Sequence, residues 1–249
     1  MAVKGRWPRA VFYDSKTTLF DWGWSWAEAA SRINRRYGSP VSDQEFIATW
    51  VRLFESHHRR TAFSQYTPVT ETIREALADT FRIHGIAGSP DDVVEYTALQ
   101  DQVRLFPETE RALGEQQAMG VKIIIYSDVE REFLDMYVAK FGEFKPDFVA
   151  STEQCRLHKP NPLTYHWVLR QTGLQPRDVL YCAAPAFDIQ GAMAAGLIAA
   201  WLRRPTDGML ANQSSTAQGL PADYEIESLD DVTRILEVNR NPDQPSSSG

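Results

Sequence analysis

A short apolar run that stops abruptly on an acid constrains this chain more than any other feature. Ala10-Val11-Phe12-Tyr13 is followed at once by Asp14 and the polar residues Ser15-Lys16-Thr17-Thr18. Successive apolar residues leave no side for solvent, so the run reads as a strand buried on both faces. The same shape recurs where Val121-Lys122-Ile123-Ile124-Ile125-Tyr126 runs into Ser127-Asp128. It recurs again where Val179-Leu180-Tyr181-Cys182 runs into Ala183-Ala184-Pro185 and then Asp188. A helix-like stretch follows each run, and repetition of strand, loop and helix predicts an α/β fold with a parallel sheet covered on both faces. Ligands of such sheets bind beyond the carboxyl ends of the strands. The three polar ends are therefore expected to converge on one site.

The texture changes between Trp22 and Arg104, where helix-period segments follow one another without a comparable strand: Ser25 to Tyr37, Asp43 to Arg60, Val69 to His84 and Asp91 to Val103. This predicts a helical cap over residues 22–104, inserted into a Rossmann-like core made of residues 1–21 and 105–240. The hinge is expected at Asp21-Trp22-Gly23 and Arg104-Leu105. Pro107 suits the first turn of a helix running through Ala118, and Gly120 suits its stop. A strand over Leu197 to Leu202 and a strand and helix over Asp223 to Val238 complete the core. The tail, residues 241–249, has the composition of a disordered segment.

A net charge of -7 gives no general field for binding phosphate backbones or an anionic membrane, so nucleic acid is not an expected partner. Two cysteines, Cys155 and Cys182, are too few for a disulfide framework or a thiolate metal cage, which fits a reducing cytoplasm. No segment approaches the roughly 20 apolar residues needed to span a bilayer.

Tyr13-Asp14-Ser15-Lys16-Thr17-Thr18-Leu19-Phe20-Asp21, at the first strand end, resembles the nucleophile motif of the haloacid dehalogenase superfamily. Ser127, then Lys159-Pro160, then Asp188 with Gly191-Ala192 follow in that family's order. Within the superfamily the chain resembles the L-2-haloacid dehalogenase branch, including its helical cap. The resemblance implies that Asp14 is a nucleophile attacking carbon, that Lys159 pairs with it, and that Ser127 donates a hydrogen bond to the nucleophile or the substrate carboxylate. It also implies that Asp188 orients or deprotonates the water that hydrolyses the resulting ester. Members are often dimers, so a homodimer is left open.

The departures from the pattern are informative. Phosphatases of the superfamily carry a second Asp two residues after the nucleophile and hold Mg2+ with acidic residues, including one in the last motif. Here those places are Lys16 and the pair Ala183-Ala184. A hard cation needs oxygen ligands, so neither a catalytic metal nor another cofactor is expected. Where dehalogenases have an Asn facing the departing halide, this chain has Asp128, and Ala183 and Pro185 stand in place of two polar residues. An anionic Asp suits a cationic amine, although Asp128 could instead cap the helix beginning near Glu130. Arg52 is the nearest counterpart of a cap arginine that assists the halide.

Three functions stay open on this reading. The favoured one is opening of a strained cyclic amino acid, azetidine-2-carboxylate, by C–N hydrolysis to 2-hydroxy-4-aminobutyrate. The second is L-2-haloacid dehalogenation, and the third is a catalytically silent binding protein. The first two share an aspartyl ester on Asp14 and a small 2-substituted carboxylate substrate. Lys16, Trp22, Arg52, Asp128 and Phe187 are the expected substrate-binding residues. Trp24 and Trp26, with Phe63 and Tyr66, could extend an apolar wall beside Trp22. His57 and His58, ahead of Arg59-Arg60, read as a solvated basic face without carboxylates at metal-binding spacing. Cys182 reads as a buried small hydrophobe.

Overall fold

The computed structural model describes residues 7–204 and 222–240; the 241–249 tail lies outside the described residues. The chain enters through β1 (Ala10–Tyr13), turns into the short β2 (Phe20–Asp21), and leaves for four helices. These are α1 (Gly23–Arg36), α2 (Asp43–Thr61), α3 (Val69–His84) and the short α4 (Val94–Thr97). It returns through β3 (Arg104–Leu105), then α5 (Thr109–Ala118), β4 (Lys122–Ser127), α6 (Arg131–Val138) and β5 (Phe148–Ser151). The second half holds α7 (Pro162–Thr172), β6 (Val179–Ala183), α8 (Ala186–Ala194), β7 (Ile198–Leu202), β8 (Tyr224–Ile226) and α9 (Leu229–Arg240).

Six strands form one parallel sheet in the order β5-β4-β1-β6-β7-β8. The chain winds outward from β1 through β4 to β5, then crosses back to β6 and winds the other way. The crevice beside β1 is thus the topological switch point where open sheets of this kind bind ligands. Strand residues alternate between two cores. Val11, Tyr13, Ile123, Ile125 and Leu180 pack on one side, and Phe12, Ile124, Tyr126 and Tyr181 on the other. Burial on both faces explains why these strands are apolar without alternation.

The apolar residues of the helical segment continue the core on the Val11 and Tyr13 side of the sheet. On α2, Ile47, Val51, Phe54 and His58 lie on one stripe at helical spacing and are buried. Trp26 meets Trp50 at a ring separation of 4.7 Å, and Trp22, Phe54 and Tyr96 close around it. Ser42 caps α2 by accepting from Glu45 N, and Gly85, with φ 66°, stops α3 in the left-handed conformation glycine favours. Phe20 pairs with Leu105 and Asp21 with Arg104, so the chain enters and leaves the insertion through an antiparallel pair.

Two local expectations shift. The stretch from Asp91 to Val103 is no continuous helix: a 3-10 turn (Pro90–Val93), α4 and a second 3-10 turn (Gln100–Gln102) replace it. Tyr96 is drawn onto the Trp22–Trp26 cluster and Gln100 onto the hydroxyl of Tyr137, and this packing outweighs helical continuity. Pro107 lies ahead of the helix, whose N-cap is Glu108, rather than in its first turn. Gly120 follows the C-cap Met119 with φ 81°. Among the described residues, no helix is long and apolar enough to cross a membrane.

Candidate active site

Asp14 follows β1 directly, with its backbone N–H on the Cys182 carbonyl at 3.1 Å. The side chain is held on both oxygens: Lys159 Nζ donates to Oδ1 at 3.0 Å and Thr18 Oγ1 donates to Oδ2 at 3.0 Å. Thr17, with φ 61°, makes the turn that returns Thr18 toward Asp14, and Thr18 Oγ1 also accepts from Ala184 N at 2.9 Å. Lys159 is buried and donates to Tyr126 O at 2.8 Å and Asp188 Oδ2 at 3.0 Å as well. Burial would pull its pKa down, but Asp14, Asp188 and Asp128 push it above the usual lysine value, so the ammonium stays charged.

Asp188 lies in the first turn of α8, 1% exposed. Besides Lys159, it accepts from the Tyr165 hydroxyl and from Tyr181 Oη at 2.9 and 2.8 Å. Burial raises its pKa above the ordinary carboxylate value, against the lowering pull of Lys159. Three donors thus converge on a carboxylate with almost no exposure. Gly191 lets α8 approach this closely, since a Cβ there would stand 2.6 Å from the Pro160 carbonyl oxygen and 2.7 Å from Tyr165 Oη.

Ser127 does not reach Asp14. Its hydroxyl pairs with that of Ser15 at 2.5 Å and accepts from Val129 N, because the end of β4 places it above Ser15 rather than above the carboxylate. Asp128 caps nothing in α6, whose N-cap is Glu130. Instead Asp128 Oδ1 accepts from Lys159 N at 3.1 Å and Oδ2 lies 2.8 Å from His58 Nε2. Burial would raise its pKa, but hydrogen bonds from His158 and His58 carry it well below the usual value.

Lys16 is partly buried, with Nζ 4.1 Å from the centroid of the Trp22 ring. Burial lowers its pKa to about 8 against the opposite pull of Glu130, Asp128 and Asp14. Phe187 lies 6.2 Å from His58, ring to ring. Arg52 is exposed on α2, off the buried stripe, so the insertion offers His58 rather than Arg52 to the core. Trp24 and Phe63 are exposed and Trp26 packs on Trp50, while Tyr66 stacks on His158 at 4.6 Å. Cys182 is buried and its thiol is pushed up by burial.

Thr18, Tyr165, Tyr181, Ser15 and His158 were not singled out from sequence. The signal for His58 was present in the spacing of Ile47, Val51, Phe54 and His58, which puts the histidine on the apolar face of α2. The tyrosines gave none, since aromatic residues in buried runs are ordinarily core material.

A buried acid at the switch point, paired to a buried lysine that a second acid anchors, supports nucleophilic rather than metal-centred chemistry. A family description for haloacid dehalogenase-like hydrolases matches residues 86–202, which include Ser127, Lys159 and Asp188. The chain carries a haloacid dehalogenase-like hydrolase domain. Over 82% of its length the chain is 27% identical to 79% of the (S)-2-haloacid dehalogenase of Xanthobacter autotrophicus. It is 22% identical to (S)-2-haloacid dehalogenase 1 of Pseudomonas sp. (strain CBS-3), over 92% of this chain and 96% of the relative. Its fold is that of the solved L-2-haloacid dehalogenase from Xanthobacter autotrophicus with chloropropionic acid covalently bound. The TM-score is 0.73 at 23% identity, over 92% of this chain and 98% of the other.

Proposed function

We propose that this chain is a metal-independent hydrolase of the 2-haloacid dehalogenase kind. In this reading Asp14 attacks the alpha carbon of a small 2-haloacid, the halide departs with the bonding electron pair, and an aspartyl ester results. Water then adds to the ester carbonyl, releasing the 2-hydroxy acid and a proton and regenerating Asp14. The observation that carries it is the fixing of both Asp14 oxygens by Lys159 and Thr18, with Lys16 where a phosphatase needs a second acid. A carboxylate is a modest nucleophile, and burial and fixed orientation are what make it competent. Lys16 is the cation assigned to the substrate carboxylate, with Trp22 beneath it and Phe187 on the far wall.

Asp188 is assigned to anchoring Lys159, because its oxygens face Lys159, Tyr165 and Tyr181. The amine leaving group loses its main support in the surroundings of Asp128. That carboxylate already accepts from Lys159 N and lies 2.8 Å from His58 Nε2, so a substrate ammonium would have to share it with both. The halide reading also has the support of the (S)-2-haloacid dehalogenases among the relatives.

The test is turnover by the purified chain, with EDTA present, of L-2-chloropropionate and L-azetidine-2-carboxylate in parallel. Free chloride is followed in one and new primary amine in the other. Chloride release that disappears in Asp14→Asn is expected; amine release alone would restore ring opening, and no turnover of either would sink both.

A further inference from the structure

We propose that His58, Asp128 and His158 form a binding site for a divalent transition-metal ion, of which Zn2+ is the best match, at the seam between the helical insertion and the sheet. The three side chains come from separate elements: His58 from α2, Asp128 from the end of β4, and His158 from the loop ahead of α7. One ligand atom from each lies within 4.8 Å of the other two, and both histidines are buried. His58 Nε2 is 2.8 Å from Asp128 Oδ2 and His158 Nδ1 is 3.7 Å from Asp128 Oδ1. Donor atoms around a tetrahedral zinc, each about 2.0–2.2 Å from the ion, stand roughly 3–4 Å apart. The observed separations, from 2.8 Å to within 4.8 Å, bracket that spacing.

The tautomers favour the same arrangement. His158 Nε2 lies 2.6 Å from the Thr67 carbonyl oxygen, a bond that requires its proton on Nε2. Nδ1 faces Asp128 Oδ1 at 3.7 Å and Thr152 Oγ1 at 3.5 Å, so an ion binding here takes the place of the proton shared between His158 and the carboxylate. A carbonyl acceptor behind a ligating imidazole is the usual means of fixing its orientation. His58 Nδ1 has no hydrogen-bond partner, so the ring can move its proton there and present Nε2 without giving up another bond. Lys159 N donates to Asp128 Oδ1, and Tyr66 stacked on His158 limits its rotation. Two imidazoles and one carboxylate match a borderline ion rather than the Mg2+ of phosphatases. The site adjoins the nucleophile's surroundings, since Lys159 N donates to Asp128, but its three ligands are not the groups that hold Asp14, and it requires no particular substrate.

An ion held here ties α2 to the end of β4, so metal is expected to raise the melting temperature and slow turnover. The test begins with chain stripped by EDTA and desalted, then titrated with Co2+ while visible absorption is followed. One equivalent producing a saturable ligand-field band is expected, displaced by one equivalent of Zn2+. Asp128→Ala and His158→Ala should weaken Co2+ binding at least about tenfold, since each deletes one of three ligands. His57→Ala should bind like the unaltered chain; His57 faces Asp79 at 3.1 Å and Glu75 at 3.8 Å and is the competing surface set. No saturable band, or loss of binding in His57→Ala alone, would overturn the assignment. Should a variant fail to fold, X-ray absorption of the unaltered chain loaded with Zn2+ decides: two imidazoles with oxygen donors support the site, and one imidazole or none refutes it.

Discussion

Lys159 Nζ lies 3.0 Å from Asp14 Oδ1, although 145 residues separate the two in the chain. The contact joins the loop after β1 to the loop before α7, and the same ammonium holds Asp188 at 3.0 Å. One buried cation thus sets the position of two buried acids. Replacing it by Met leaves both carboxylates without their counter-charge, which is expected to cost about 3–5 kcal/mol in urea unfolding. Unchanged stability in Lys159→Met would contradict that electrostatic role.

Asp14→Asn separates chemistry from folding. The amide keeps the shape and can still accept from Thr18 but is a far poorer nucleophile, so dehalogenation should fall at least about a thousandfold. Single turnover in 18O-labelled water should place label in Asp14 of the active chain and none in product; later turnovers then pass it to product. Label entering product directly, with none in Asp14, would rule out the ester.

Anchoring and water activation make different demands on Asp188. As an anchor of Lys159, Asp188→Asn should slow ester formation itself, and no ester should accumulate on rapid quenching and mass analysis. A build-up of ester with fast first-step release of halide would return Asp188 to the role of base.

Lys16 supplies a pH dependence with a defined sign. Burial lowers its pKa to about 8, so the ammonium is present below that pH and lost above it. If it binds the substrate carboxylate, KM should rise on the alkaline side of about pH 8 while ester formation at saturation changes less. Lys16→Met should raise KM and flatten that alkaline rise; a wild-type profile in the variant would exclude Lys16 from carboxylate binding.

Gly191→Ala tests the close approach of α8. Its Cβ would fall 2.6 Å from Pro160 O and 2.7 Å from Tyr165 Oη, so backbone must move. An overpacking cost of about 1–3 kcal/mol is expected, with lowered kcat because Pro160 follows Lys159. Wild-type stability and kcat together would show that the approach has slack.

How far the sequence could be read depended on the range of the interactions involved. The buried runs around Val11, Ile124 and Leu180 announce a parallel sheet because strand burial is a local pattern, and the order of Asp14, Ser127, Lys159 and Asp188 suggested where a site would lie. The partner of each group was less legible. Ser127 meets Ser15, and Asp128 meets His58 from 70 residues away. Arg52 stands nearest the family's cap arginine in sequence, but the α2 stripe turns it outward and His58 inward.

The sequence by itself marked the apolar runs that become β1, β4, β6 and β7, the helix-period stretch that follows the first of them, and the acid that stands at its end. Those properties follow from runs of neighbouring residues and their hydration. Only the tertiary structure decided that Asp188 meets Lys159, Tyr165 and Tyr181 together, and that ligand atoms of His58, Asp128 and His158 lie within 4.8 Å of one another. Such pairings join elements far apart in the chain, and the burial that makes them strong exists only once the sheet and the helical insertion have packed together.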